Sequence, residues 1–200
     1  MNVAVLCEFS GTVREAFIRR GHNAVSYDLL PSEAPGPHIR GDVREQDLTW
    51  ADLVIAHPTC TRLCNSGVVW LHRRNLWAQM REAAAFFKWC LDLPNAMVAV
   101  ENPIMHKYAV EIVGRRQDQV IQPWMFGHGE TKATCLWLRG LPKLTPTNIV
   151  DGREQRLHKL PPSPTRWAER SRTYPGIAEA MADQWGGIVR AGKGVENGAG

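Results

Sequence analysis

Two short polar segments carry the residue types that nucleophilic and acid–base chemistry needs. In HPTCTRLCNSG (57–67), Cys60 follows an apolar run, DLVIA. A cysteine just after a buried strand sits near the helix dipole of the next element, a setting that lowers thiol pKa and favours the thiolate. Pro58 before it and Gly67 seven residues after it suit a tightly shaped loop. In VENP (100–103), Glu101 ends a second apolar run, MVAV. A carboxylate at a strand end can protonate or hydrogen-bond a ring nitrogen in an adjacent pocket. Taken singly, each has a plainer reading: a lone cysteine is more often a packing residue, and Glu-Asn-Pro also makes an ordinary cap or turn.

The elements that must position these residues alternate in type. Residues 2–9, 24–30, 52–56 and 97–100 read as strands, with 38–43 as a short strand among them. Their apolar runs lack clean alternation, as expected for strands covered on both faces. Residues 14–20 read as a helix that Gly21 ends. Trp77, Met80, Ala84, Phe87 and Leu91 recur at helical spacing and are expected to face the sheet. The pattern predicts an α/β domain with a Rossmann-like, doubly wound, mostly parallel sheet. Ligands of such sheets bind beyond the C-terminal strand ends, near the point where strand order reverses.

Those ends carry further candidates. Phe9, Ser10 and Gly11 open the first helix, where backbone amides can face an anionic or polar group. The glycine fingerprint is incomplete, because Val13 occupies the place of a second glycine. Asp28 follows the second strand, where an acid often binds ribose hydroxyls. Asp42 adds a contact for an adenine amine. As single residues, both aspartates suit turns equally well.

Beyond Pro103 the pattern changes. Residues 134–138 read as a strand, and 142–174 as a basic, proline-rich excursion. Residues 175–185 read as a closing helix with Pro175 in its first turn and Gly186 at its end. The expected organisation is a catalytic core of 1–141 and 175–187, the excursion between them, and a disordered tail of 188–200. The net charge of +4 permits an anionic partner. No apolar run approaches the ~18 residues of a membrane span. The N-terminal apolar stretch has no basic region before it and meets Glu8, so it reads as a buried strand, not a signal peptide. Five irregularly spaced cysteines suggest reduced thiols and a cytoplasmic setting.

Taken in order, these segments resemble the DNA cytosine-5 methyltransferase family. EFSGTVREAF (8–17) resembles its Phe-x-Gly-x-Gly cofactor loop, SYDLLP (26–31) its ribose segment and GDV (41–43) its adenine contact. HPTCTRLCNSG resembles the Pro-Pro-Cys-Gln loop, and VENP resembles Glu-Asn-Val. FGHGETKATCLWL (126–138) resembles the Phe-Gly-x-Pro-Gln-x-Arg-x-Arg strand, and PGIAEAMADQW (175–185) the closing helix. The sequence is most similar to short phage-encoded members, which would place it in a bacterial host's cytoplasm. The resemblance implies a class I S-adenosylmethionine-dependent methyltransferase fold. Catalysis would rest on Cys60, Glu101 and Asn102, with Cys60 adding to C6 of cytosine, Glu101 supporting N3 and Asn102 bracing the loop. The cofactor would be S-adenosylmethionine, held by Phe9, Ser10, Gly11, Asp28, Asp42, Val43 and Pro58. Lys132, Thr134, Arg166 and Arg170 would face the substrate, and no metal is needed.

The departures are specific. Thr59 and Thr61 replace the second proline and the glutamine of the Cys loop. Ser26 replaces a carboxylate, and Thr134 replaces the second arginine. About forty residues stand where the family inserts a large target-recognition domain. Three readings of the substrate follow: DNA gripped by Arg153, Arg156, Lys159, Arg166, Arg170 and Arg172 with Trp167; a free pyrimidine nucleotide; or recognition supplied by a protein partner or a second copy. Other classes fit parts of the sequence. His57, Cys60 and Cys64 have the spacing of zinc ligands, but the deaminase signature is missing. A non-catalytic phage accessory protein that binds nucleic acid or cofactor fits the incomplete glycine loop. ENPIM faintly resembles an amino-methyltransferase motif, without its second proline and aromatic residue.

Overall fold

A computed structural model describes residues 1–188; the tail expected to be disordered falls largely on 189–200, outside the described residues. The strands are β1 (Asn2–Leu6), β2 (Asn23–Asp28), β3 (His38–Arg40), β4 (Leu53–Ala56), β5 (Met97–Asn102), β6 (Gln119–Ile121) and β7 (Thr134–Arg139). The helices are α1 (Thr12–Ile18), α2 (Val68–Arg74), α3 (Trp77–Asp92), α4 (Lys107–Val113), α5 (Arg156–Lys159), α6 (Arg166–Ser171) and α7 (Pro175–Gly186). The described strands form one sheet in the order β3-β2-β1-β4-β5-β7-β6, with β7 antiparallel to both neighbours. This is the doubly wound, Rossmann-like, mostly parallel α/β fold that the alternation predicts. Strand order reverses between β1 and β4.

The apolar strand runs make this possible. Every residue of β4 is buried, as a parallel strand covered on both faces requires. Period-two alternation divides the core. Val3, Val5, Leu53, Ile55, Met97 and Ala99 face α1 and α7. Ala4, Leu6, Val54, Ala56, Val98 and Val100 face α3 and α4. In α3, Met80, Ala84, Phe87 and Cys90 are buried. Leu91 and Trp77, expected on that face, are only partly buried: Cys90 continues the stripe, and Trp77 packs edge-on against Tyr108.

Boundaries differ from expectation where the chain turns sharply. The strand expected over 2–9 stops at Leu6, because Cys7 takes φ 57° and swings the chain out of the sheet. The short strand expected over 38–43 is β3 followed by a 3-10 turn, Val43–Glu45, capped by Asp42. Helix α2, α4 and strand β6 were not foreseen. The segment 142–174 holds α5 and α6, and its Leu144, Leu157 and Tyr174 join the α1/α7 core.

Helix α1 depends on two buried charges. Gly11, at φ 73°, begins the helix without a side-chain cap. The carboxylate of Glu8, 4% exposed, instead accepts the amide protons of Val13 and Arg14 at 2.5 and 3.2 Å. Arg14, fully buried, donates to Ser26, Ser32 and the carbonyls of Ala34, Pro35 and Pro37. One guanidinium thus pins the 32–37 loop, which otherwise has little core of its own. Arg14→Ala leaves these acceptors unsatisfied and opens a cavity, so it is expected to destabilise the fold by about 3 kcal/mol. Denaturant unfolding checks this; a loss below about 1 kcal/mol would show the loop is held otherwise.

Candidate active site

The chemistry gathers where strand order reverses. Ala56 on β4 pairs with Leu6 on β1 and with Val100 on β5. The next residues on β4 and β5, His57 and Glu101, therefore emerge side by side. By the same alternation both point to the α1/α7 face. The imidazole Nδ1 of His57 lies 3.2 Å from Oε2 of Glu101, with side chains 8% and 12% exposed. Asn102 points to the opposite face, where its amide donates to the Pro58 carbonyl at 2.9 Å. That bond ties the Cys loop to β5.

The loop itself is a compact turn. The amides of Leu63 and Cys64 donate to the Cys60 carbonyl at 2.9 and 3.0 Å. Gly67 is required: a Cβ there would stand 2.5 Å from the Thr61 carbonyl oxygen. The Cys60 thiol interacts with Cys64 and lies within electrostatic reach of Glu101 and Lys132. Cys60, Glu101 and Lys132 are thus brought together.

Their electrostatics depart from the expected activated cysteine. The hydrogen bond to Cys64, then burial, then the Glu101 charge all push the Cys60 thiol up. The thiol held low is Cys64, because Cys60 donates to it, with Ser66 and the Gly67 amide adding support against burial. The helix-side position that was expected to activate Cys60 belongs to Cys64. For Glu101, burial raises the carboxyl, but the His57 hydrogen bond and the charges of Lys132 and His57 outweigh it, so it stays below the usual range. Burial raises Glu8 despite the nearby His57.

The other expected residues fall as follows. Phe9 packs against Trp167 of α6, ring centroids 5.4 Å apart. The Ser10 hydroxyl accepts the Thr12 amide. The first-helix amides of Val13 and Arg14, expected to face a ligand, are taken by Glu8, which follows from the site of Val13 being wholly buried. Asp28, raised by burial, accepts the Leu30 amide. Asp42 is held at about 2 by its Arg44 partner. Val43 and Pro58 are buried. Lys132 donates to the Arg172 carbonyl at 3.1 Å, and the Thr134 hydroxyl to the Lys132 carbonyl. Arg166 buries an Nε without a partner among the described residues. Arg170 is half-buried on α6.

The excursion is tied down by its basic residues. Arg172 pairs with Glu33, Arg156 with Glu130 and Glu169, and Arg153 lies 3.9 Å over Trp124. Three of the six basic residues nominated for phosphate contact are thereby committed to holding the fold. Sequence reasoning considered His57 only as a possible metal ligand and gave Glu8 no role at the site. The signal was present, since His57 directly follows a strand of known register. Among the described residues, no three His, Cys, Asp or Glu side chains are grouped to hold a metal ion, and no helix is long and apolar enough to cross a membrane.

Known structures share this architecture. The chain is similar to the methyltransferase EhMeth of Entamoeba histolytica, with a TM-score of 0.52 at 12% identity over 75% of this chain and 57% of that one. Weaker likenesses are to a putative DNA modification methyltransferase encoded within an E. coli prophage (TM-score 0.46, 13% identity, 76% and 52% covered) and to S. pombe Dnmt2 methyltransferase (0.43, 12%, 72% and 51%). The chain spans about half the length of these proteins, and at such identity the likeness is one of fold. No family model and no curated protein matches the sequence.

The thiol pair makes a direct prediction. Alkylation by iodoacetamide, mapped by peptide mass, is expected to begin at Cys64 at lower pH than for an ordinary cysteine. Cys60→Ala removes the donor and should move that onset upward. An unmoved onset would mean that the two sulfurs do not share a proton.

Proposed function

We propose that this chain transfers a methyl group from S-adenosylmethionine to C5 of cytosine in DNA, through a covalent adduct on Cys60. The observation that carries the reading is the electrostatic proximity of Cys60, Glu101 and Lys132 beside the point where strand order reverses. Thiol, carboxylate and cation are the three groups needed to add to a pyrimidine ring, support its N3 and hold the base.

The cofactor's donor set fits. Gly11 is packed so closely that a Cβ would stand 2.6 Å from the Arg14 guanidinium, leaving the loop no side chain of its own there. Asp28 stands at the end of β2 beside Leu29, 67% exposed, an acid for a ribose next to an apolar surface for a base. Asp42 and Val43 follow β3 on the same side. When bound, S-adenosylmethionine supplies an electrophilic methyl group; the rest is done by side chains.

Cys60 adds to C6, and its proton passes to the Cys64 thiolate, the thiol held low. Glu101 shares a proton with N3, which takes up the charge that addition pushes into the ring. Asn102 keeps the loop on β5 through the Pro58 carbonyl. After methylation, loss of the C5 proton to water expels the Cys60 thiolate and restores the ring. A duplex substrate requires the base to be flipped out to reach Cys60.

Charge distribution favours a nucleic acid over a free nucleotide. From 53 to 81 the sequence has no Asp or Glu and four arginines, matching the formal +4 of the whole chain. On α2, directly after the Cys loop, Arg73 and Arg74 lie 5.9 and 4.6 Å over Trp70, which is 41% exposed. Neither arginine forms an ion pair among the described residues, unlike Arg156 and Arg172 of the excursion. Guanidinium groups beside an exposed aromatic ring suit phosphates and a stacked base or sugar.

Labelled S-adenosylmethionine, incubated with duplex DNA, single-stranded DNA, RNA and free pyrimidine nucleotides in turn, tests the reading. Methyl is expected at C5 of cytosine in DNA, Cys60→Ser is expected to abolish transfer while cofactor still binds, and Arg73→Ala with Arg74→Ala should reduce the salt slope of DNA binding by about two. Methylation confined to free nucleotides, or full turnover by Cys60→Ser, would overturn it.

A further inference from the structure

The imidazole of His57 is the least explained polar group in the pocket. Its Nδ1 faces Glu101, yet its Nε2 is buried and has no hydrogen-bond partner among the described residues. Leaving a buried polar atom unpaired costs about 1–3 kcal/mol, so its retention asks for a reason. A second carboxylate, Glu8, approaches closely enough for its charge to be felt. Glu8 arrives from the end of β1, Glu101 from β5, and His57 from β4 between them. The strand order therefore sets one imidazole between two buried acids.

The remaining charges around the group are few. Lys132 reaches Glu101 from the lead-in to β7, Arg14 lies near Glu8, and Cys60 shares the loop with His57. With Glu101 ionised, the nitrogen facing it must carry a proton. An ionised carboxylate cannot itself donate to a ring nitrogen. A proton has to reach it, and the adjacent N–H is the nearest source.

We propose that His57 is a positioning residue for Glu101, fixing the carboxylate towards the substrate ring and lending it the proton that it shares with N3. This rests on the cytosine reading above. As Cys60 adds to C6, the Nδ1–H bond of His57 breaks and its proton passes to Oε2 of Glu101. That proton then passes on from Oε2 to N3, leaving the imidazole neutral and Glu101 ionised again. Elimination reverses the path and returns the proton to His57.

The test has two independent arms. In the first, carbon-13 NMR of carboxyl-labelled glutamate follows Glu101, its signal assigned by disappearance in Glu101→Gln. The Glu101 midpoint is expected to rise by about one unit in His57→Gln, since burial then acts against Lys132 alone. His57→Asn serves as a second variant, and each is checked for folding by thermal melting. An unchanged midpoint in folded variants would overturn the proposal. In the second arm, His57→Gln is expected to lower kcat at least tenfold with KM little altered, and to change the pH–rate profile. Wild-type kcat and an identical profile would also overturn it. Absence of methyl transfer by the unaltered protein would instead sink the cytosine reading, and the carboxyl titration would then decide the His57–Glu101 coupling alone.

Discussion

The register of β1, β4 and β5 governs everything at this site. Ala56 sits opposite Leu6 on one side and Val100 on the other. One residue further along, His57 and Glu101 leave the sheet together. A slip of one residue in either pairing would turn one of them to the α3/α4 face. The register is held by strands buried on both faces, where a slip would expose the whole apolar set. Core packing and site geometry are therefore the same constraint.

The charged groups divide into those that build the fold and those left available. Arg14 is spent under the 32–37 loop and Glu8 on the first amides of α1. The acids Glu33, Glu130 and Glu169 tie down Arg172 and Arg156, binding the excursion to the core. Arg73 and Arg74, which form no ion pair among the described residues, lie on α2, next to the Cys loop. Two arginines thus stand free of ion pairs among the described residues, close to the proposed nucleophile. Such a surface favours polyanion binding through the backbone, which carries no sequence information by itself.

Most of the fold was legible because its strands are long apolar runs and its helical stripe repeats cleanly. The weak elements were missed for physical reasons. Strand β6 is three residues long with one fully buried side chain, and α2 buries only Leu71, so neither leaves a periodic signature. Cys60 and Glu101 were readable as strand-end residues, and the Glu101 charge acts on the Cys60 thiol. The identity of the low-pKa thiol was not readable. It depends on which sulfur donates, and on the turn that brings Ser66 and the Gly67 amide to Cys64. His57 was seen as a loop residue and a possible ligand, since only the paired register reveals its acid neighbours. The local role of Val13 was likewise hidden: the missing glycine matters less once Glu8 occupies the amides there.

The central claim is that Cys60 bonds covalently to a cytosine ring. An oligodeoxynucleotide in which fluorine replaces the C5 hydrogen blocks the elimination step and stalls the adduct. Incubated with the protein and S-adenosylmethionine, it should yield one added oligonucleotide mass, mapped to the peptide bearing Cys60. No adduct, or an adduct mapped to Cys64, would contradict the account.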